Sequence, residues 1–161
     1  MLSPPNTNRD NIMSNYQFDD KTILWQTLGS FEHFQYSILD IDENHNTIDV
    51  IFKFAAHQQI VLHRHKALNK MLVIQGEHRL YTTDGQLKEI RPTGRYTSSP
   101  ASEEPHREGG GNIDAIVLFS IRSEDELLYE ILDDDLQIIA TLTKTDLANL
   151  YQAQLNALMP A

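Results

Sequence analysis

The stretch Ile60-Val61-Leu62-His63-Arg64-His65, followed after five residues by Met71-Leu72-Val73-Ile74-Gln75-Gly76, decides how the chain is read. Both runs have the apolar, β-branched character of strands. Side chains two apart on a strand share a face, so His63 and His65 point to the side shared by Gln59 and Val61. That side should be buried, and two buried imidazoles without partners are unfavourable. A divalent ion about 2.0–2.1 Å from a neutral ring nitrogen is one such partner. A His-x-His pair alone equally suits surface or hydrogen-bonded histidines, and the wider context comes from His106. It follows the turn-rich run Ser98–Pro105 and precedes Arg107-Glu108-Gly109-Gly110-Gly111 and a further apolar run over 113–122. A third histidine at the mouth of a strand could complete a facial set of three, with positions left open for water, oxygen or a chelating substrate.

The rest of the chain continues the β pattern outward. Alternation predicts strands over 23–27, 33–39, 48–54, 59–65, 71–75, 79–82, 87–90, 94–98, 113–122, 129–132 and 137–142. Asp42-Glu43-Asn44-His45-Asn46, Asp84-Gly85, Pro92-Thr93-Gly94 and Asp133-Asp134-Asp135 supply the turns, so hairpins should dominate. In residues 48–54, Ile48, Val50, Phe52 and Phe54 share one face, with Asp49 and Lys53 on the other. The run 113–122 is apolar on both faces, which predicts a central strand. Near the C-terminus, Leu147, Leu150, Tyr151, Leu155 and Leu158 recur at helical spacing, with Thr145 as the expected cap, Asp146 in the first turn and Pro160 beyond. The reading is an all-β antiparallel barrel over 22–143, preceded by a flexible arm over 1–21 and followed by a helix over 144–161 packed on the barrel or at a dimer contact.

Composition excludes several classes of function. A length of 161 residues suits one hydrophobic core. The absence of cysteine removes disulfides, iron–sulfur clusters, thiolate zinc sites and cysteine nucleophiles, leaving His, carboxylate, amide or water to hold any metal. Thirteen basic against twenty-three acidic residues give a net charge of −10, which opposes nucleic acid and anionic membranes as partners. The charge is uneven: seven basic and three acidic residues lie between Arg64 and Arg95, and seven acidic and no basic ones between Glu124 and Asp135. A mixed solvated surface accounts for this, and a mildly cationic pocket for an anionic or enolisable substrate is the sharper reading. The N-terminal residues have neither the basic start nor the apolar core of a secretion signal, and no apolar run reaches the roughly 20 residues of a membrane span, so the expected location is the cytoplasm.

The histidine segments resemble the motifs of the cupins. His63-x-His65, three residues, Asn69, six residues and Gly76 match the spacing of the first cupin signature, with Asn69 where the usual glutamate ligand stands. Gly94, five residues and Pro100 match the start of the second. Within it Ser102 replaces a glycine, His106 lies one residue late and Gly110 replaces the terminal asparagine. The resemblance spans about residues 22–142 and implies the cupin jelly roll. Without the glutamate it is closest to the three-histidine subset, similar to acetylacetone dioxygenase and to the cupin domain of ChrR-type anti-sigma factors. Residues 24–28 and 131–140 also look like the flanks of the acetylacetone-cleaving enzymes.

The resemblance implies one divalent metal on His63, His65 and His106, with Fe(II) expected for an oxygenase and Zn or Ni otherwise. The expected substrate is a small dicarbonyl or hydroxylated aryl ketone that is cleaved or oxidised. Asn69 is expected beside the ligands rather than among them, and Gln75, Tyr81 and Tyr96 are candidates for the pocket lining, although each also suits an ordinary strand position. His57 and His78 could approach the site but lie off the ligand positions, and such residues are more often at the surface, while structural or exposed roles suffice for His33 and His45. The alternative function is a nonenzymatic zinc- or small-ligand-binding module, a sensor or regulator acting through a protein partner. An isomerase or epimerase of the wider cupin group is a weaker option, because no residue stands out as its general base. A homodimer or higher homo-oligomer is expected.

Overall fold

A strand that is apolar on both faces needs cover on both faces and a neighbour on each edge. The run Ala115–Arg122 meets this requirement at the centre of a five-stranded antiparallel sheet. In the computed structural model, which describes residues 16–159, the strands are β1 (Phe34–Asp42), β2 (Thr47–Phe54), β3 (His63–His65), β4 (Leu68–Gln75), β5 (His78–Tyr81), β6 (Leu87–Arg91), β7 (Tyr96–Ser99), β8 (Arg107–Gly109), β9 (Ala115–Arg122), β10 (Leu127–Leu132) and β11 (Ile138–Thr143). One helix, α1 (Lys144–Leu158), follows them. The large sheet runs β1-β2-β9-β4-β7, and two three-stranded sheets run β11-β10-β3 and β6-β5-β8. All the ladders are antiparallel, as in a jelly roll, and the hydrogen bonding forms three separate sheets rather than one continuous ring.

The alternation in β2 does what the sequence suggests. Ile48, Val50 and Phe54 are buried in one core that also takes Val117, Phe119 and Ile121 from β9 and Leu128 and Tyr129 from β10. Val50 stands opposite Phe119 and Phe52 opposite Val117, and the Phe52 and Phe119 rings meet edge to face with centroids 4.8 Å apart. The β1–β2 hairpin turns through a 3-10 turn at Glu43–His45 and an Asn46 at φ +51°, a left-handed conformation that asparagine tolerates.

Three expectations need correction. The strand expected over 23–27 is reduced to one bridge, between Gln26 and Tyr36. Helix α1 is capped by Thr143 rather than Thr145: the Thr143 hydroxyl accepts from the Asp146 N–H while the Asp146 carboxylate accepts from the Thr143 N–H, a reciprocal capping box. Thr145 instead donates its hydroxyl to Glu126, 2.9 Å away. Strand β8 reads as loop in the sequence, because it is three residues long and ends in glycine. It is a strand because it pairs with β5, and the Gly109 backbone passes so close to the Gln58 carbonyl that a Cβ there would overlap it.

Residues 1–15 of the expected arm lie outside the described residues. Its remaining part is tied down: the Phe18 N–H donates to Gln75 Oε1 at 2.8 Å, and Asp20 accepts from Lys53 Nζ at 2.5 Å and from Trp25 Nε1 at 2.9 Å.

Helix α1 covers the outer edge strand β1 through a polar residue. Leu147 is buried as its apolar stripe implies, whereas Leu155 and Leu158 are 41% and 56% exposed. Gln154 is buried in their stead: its Oε1 accepts from the Ile38 N–H (2.9 Å), and its Nε2 donates to the Ile38 carbonyl (2.8 Å) and the Ser37 hydroxyl (3.3 Å). These bonds satisfy backbone groups beside the register shift between Ile38 and Asp40. Gln154→Leu should therefore lower the unfolding free energy by about 1–3 kcal/mol, the cost of leaving buried backbone groups unpaired. Urea denaturation checks this, and a stability equal to wild type would show that the edge does not depend on the helix.

Candidate metal centre

Backbone pairing brings the three histidines together. β3 pairs with β10 on one side, placing His63 opposite Ile131 and His65 opposite Tyr129. On its other side the His106 segment lies antiparallel: the His63 N–H donates to the His106 carbonyl (3.1 Å) and the His106 N–H to the His63 carbonyl (3.0 Å). Directly opposed residues project to the same face, so all three rings meet. Ring centroids are 5.1 Å apart for His63 and His65, and 4.6 Å for each of them with His106.

A fourth group joins them. Oε2 of Glu108 lies 2.7 Å from His63 Nε2, 3.4 Å from His65 Nε2 and 3.6 Å from His106 Nε2. One ligand atom from each of the four residues lies within 4.8 Å of the other three. The sequence does contain a signal for Glu108. It stands two residues after His106 in extended chain, so His106-x-Glu108 shares a face just as His63-x-His65 does. That signal is hidden by the polar, glycine-rich stretch around it.

The donor set fits a divalent cation. His63 Nδ1 is 2.8 Å from the Val61 carbonyl, which fixes its proton there and leaves the Nε2 lone pair facing inward. That lone pair faces a carboxylate oxygen at 2.7 Å and His65 Nε2 at 3.1 Å, an arrangement that a cation among them would satisfy. Two nitrogens about 2.1 Å from one ion at angles between square and tetrahedral are about 3.0–3.4 Å apart. His106 Nε2 is buried and has no hydrogen-bond partner among the described residues, as a lone pair reserved for an ion would be.

Electrostatics favour the same protonation states. Burial pushes the His65 imidazole down to about 4 against the opposing pull of Glu108, and burial likewise lowers His106. Burial works to raise the Glu108 carboxyl, but the surrounding imidazoles of His106, His63, His65 and His78 hold it well below the usual carboxylate range. The cluster at neutral pH thus includes neutral imidazoles and an ionised carboxylate, the forms that bind metal.

The other site residues named from the sequence are placed around this cluster and beyond it. Asn69 is fully buried, but its Oδ1 accepts from the Tyr129 hydroxyl at 2.7 Å and its Nδ2 donates to the Ala67 carbonyl at 3.0 Å, so its polar atoms are already used. It supports the centre through Tyr129, whose ring packs edge-on against His65 at 5.1 Å. For Gln75, Tyr81 and Tyr96, the candidates for the pocket lining, the structure gives the following contacts. Gln75 binds the Phe18 N–H and the Asp114 carbonyl, Tyr96 is 57% exposed on edge strand β7, and Tyr81 packs near Gly109. Of the two expectations for His78, a surface position or an approach to the site, the structure shows the second: it is fully buried, with Nε2 2.7 Å from Glu108 Oε1.

Two cavities meet at the cluster. An apolar one of ≈ 70 Å³ lies inside the sandwich, bounded by Val50, Phe52, Phe119 and Leu147 and reaching His63 and Glu108. A more polar one of ≈ 130 Å³ is bounded by His65, His106 and Glu108 together with Arg91, Ser102 and Glu104. Glu108 borders both, His63 the apolar one, and His65 and His106 the polar one.

His63→Ala, His65→Ala and His106→Ala should each sharply lower the metal content of purified protein, measured by elemental analysis, with far-UV circular dichroism little changed. Full occupancy in all three variants would contradict the assignment. Acid should destabilise the metal-free protein. The unfolded chain binds protons at His65 near pH 6.5 and the folded chain only near 4, so stability present above 6.5 is lost as pH falls toward 4. The difference corresponds to about 3 kcal/mol from His65 alone. Glu108, lowered in the folded state, adds a loss of the same sign at still lower pH. Thermal melts across this range test the sign, and a melting temperature that rises on acidification would reverse it.

No protein-family model matches the sequence. No curated protein matches it either. Solved structures do. An RmlC-like cupin protein from Ralstonia eutropha JMP134 superposes with a TM-score of 0.68 at 17% identity, over 92% of this chain and 91% of that one. An acetylacetone dioxygenase from Acinetobacter johnsonii gives 0.62 at 11% identity, over 86% of this chain and 91% of that one. A protein of unknown function with a cupin-like fold, also from Ralstonia eutropha JMP134, gives 0.62 at 16% identity over 78% and 75% of the two chains. With antiparallel sheets packed as a jelly roll and matches over most of both chains, the fold of this protein is the cupin fold.

Proposed function

We propose that the protein is a metal-dependent oxygenase that cleaves or oxidises a small dicarbonyl or hydroxylated aryl ketone, with Fe(II) held by His63, His65, His106 and Glu108. One observation carries this reading: three imidazole nitrogens and a carboxylate oxygen converge beside an apolar and a more polar cavity, with Glu108 bordering both. The similarity in fold to an acetylacetone dioxygenase supports it. Bound iron supplies a Lewis acid that a two-oxygen chelate can occupy and a redox partner for dioxygen.

The chain's own residues do the rest. The Val61 carbonyl holds the His63 proton on Nδ1 and so keeps Nε2 free to coordinate. Glu108, held far down in pKa, stays ionised and serves as a ligand rather than as a proton acceptor. Phe52, Phe119 and Ile121 line the apolar cavity, exclude water from one side of the site and suit a hydrocarbon substituent. Arg91, 7% exposed on the polar side, is held by Glu89 through Nε at 3.1 Å and Nη2 at 3.2 Å and would offer the polar cavity a fixed guanidinium for an anionic substrate.

A second reading has its own support. Three histidines and one carboxylate are four protein ligands, the number of a closed zinc site, which suits a nonenzymatic zinc-binding module that signals through a protein partner. Protein purified without a metal-binding tag, stripped, and reloaded anaerobically with Fe(II) separates the two. The oxygenase reading predicts substrate-dependent oxygen uptake with at least one β-diketone or hydroxylated aryl ketone. No uptake across the panel at full iron loading would overturn it, and one equivalent of zinc in the protein as purified would then favour the second reading.

A further inference from the structure

His78 is not explained by the ligand set. It opens β5, is fully buried, and lies flat on Phe54 with ring centroids 5.2 Å apart and planes 6° apart. The Phe119 ring is tilted against it with centroids 6.0 Å apart. Packing alone would favour an apolar ring in such a slot, because His78 Nδ1 is buried there without a partner among the described residues. The polar contact that His78 does make is with Glu108: Nε2 lies 2.7 Å from Oε1, the carboxylate oxygen turned away from the other three histidines. Strand geometry produces this contact. β5 pairs with β8 so that Leu80 stands opposite Glu108, and His78, two residues earlier on the same face, reaches the carboxylate diagonally.

We propose that His78 is the positioning residue of Glu108. Its Nε2–H donates to Oε1 and fixes the carboxylate rotamer, so that Oε2 alone is presented to His63, His65 and His106 as a one-oxygen fourth ligand. The metal centre is then three histidines and a carboxylate drawn from β8, oriented by a fifth side chain that does not touch the ion. This rests on the metal-centre reading above.

Cobalt(II) titration of the metal-free protein, followed by visible absorption, tests it. Wild type should bind one equivalent. His78→Phe keeps an aromatic ring on Phe54 and removes the donor, and should weaken cobalt binding about 10–100-fold and shift the ligand-field bands, as loss of an orienting partner does. His78→Gln, which returns an N–H near the Nε2 position, should bind within a few-fold of wild type with wild-type bands, and His78→Asn, too short to reach Oε1, should not. Glu108→Ala should weaken binding at least as much as His78→Phe, and His78→Phe added to Glu108→Ala should cause no further loss, because both remove one interaction.

Wild-type affinity and bands in His78→Phe would overturn the proposal, as would losses that add in the double variant. Should His78→Phe fail to fold, equal affinities for His78→Gln and His78→Asn would overturn it, and the split described would support it. Wild type that takes up no cobalt overturns both this proposal and the metal-centre reading. Cobalt bound normally by wild type and by His78→Phe overturns this proposal alone.

Discussion

A carboxylate buried at the meeting point of four imidazoles is the interaction on which the account depends. Glu108 is 2% exposed, and an ionised carboxylate so placed is tolerated only where its charge is answered by hydrogen bonds or a cation. Oε1 receives one hydrogen bond, from His78, and Oε2 faces the other three rings. With the His63 proton held at Val61, the inward side of the cluster is rich in lone pairs and poor in protons. A divalent ion resolves that imbalance. Without one, the cluster must retain protons that burial disfavours, so a bound ion would couple acid, metal and folding.

The fold serves this arrangement at several removes. β9 anchors the large sheet because it is apolar on both faces, and its Phe119 contacts the rings of Phe52, Phe54, His65 and His78. β3 is only three residues long, yet it is fixed on both edges, by β10 and by the His106 segment, so His63 and His65 have little freedom to diverge. The glycine at 109 lets β8 press against the Gln58 segment, where the Glu108 carbonyl accepts from the Ile60 N–H at 2.8 Å, and this holds the Glu108 backbone in register. Helix α1 completes the far side of the apolar cavity with Leu147 and Leu150.

Much of this was legible in the residues. The alternation of Ile48, Val50, Phe52 and Phe54, and the two-sided apolar run of β9, mark strands by a period that little else produces. His63-x-His65 places two rings on one face by geometry alone, and the position of His106 before an apolar strand sufficed to include it. The misses share a cause: tertiary contacts that local pattern does not encode. Glu108 and His78 are polar residues in very short strands whose burial comes from pairing with each other's neighbours. Gln154 breaks an apolar stripe and is buried because a shifted register in β1 offers it backbone partners. Tyr96 has strand character, but edge strand β7 leaves its ring in solvent.

The central claim concerns one ion and four atoms, and anomalous diffraction from crystals soaked in Fe(II) or Zn(II), recorded at the metal's absorption edge, addresses it most directly. A single strong peak is expected within coordinating distance of Nε2 of His63, His65 and His106 and of Oε2 of Glu108. A peak elsewhere on the chain, or the ring of His106 turned away from an ion held by others, would contradict it.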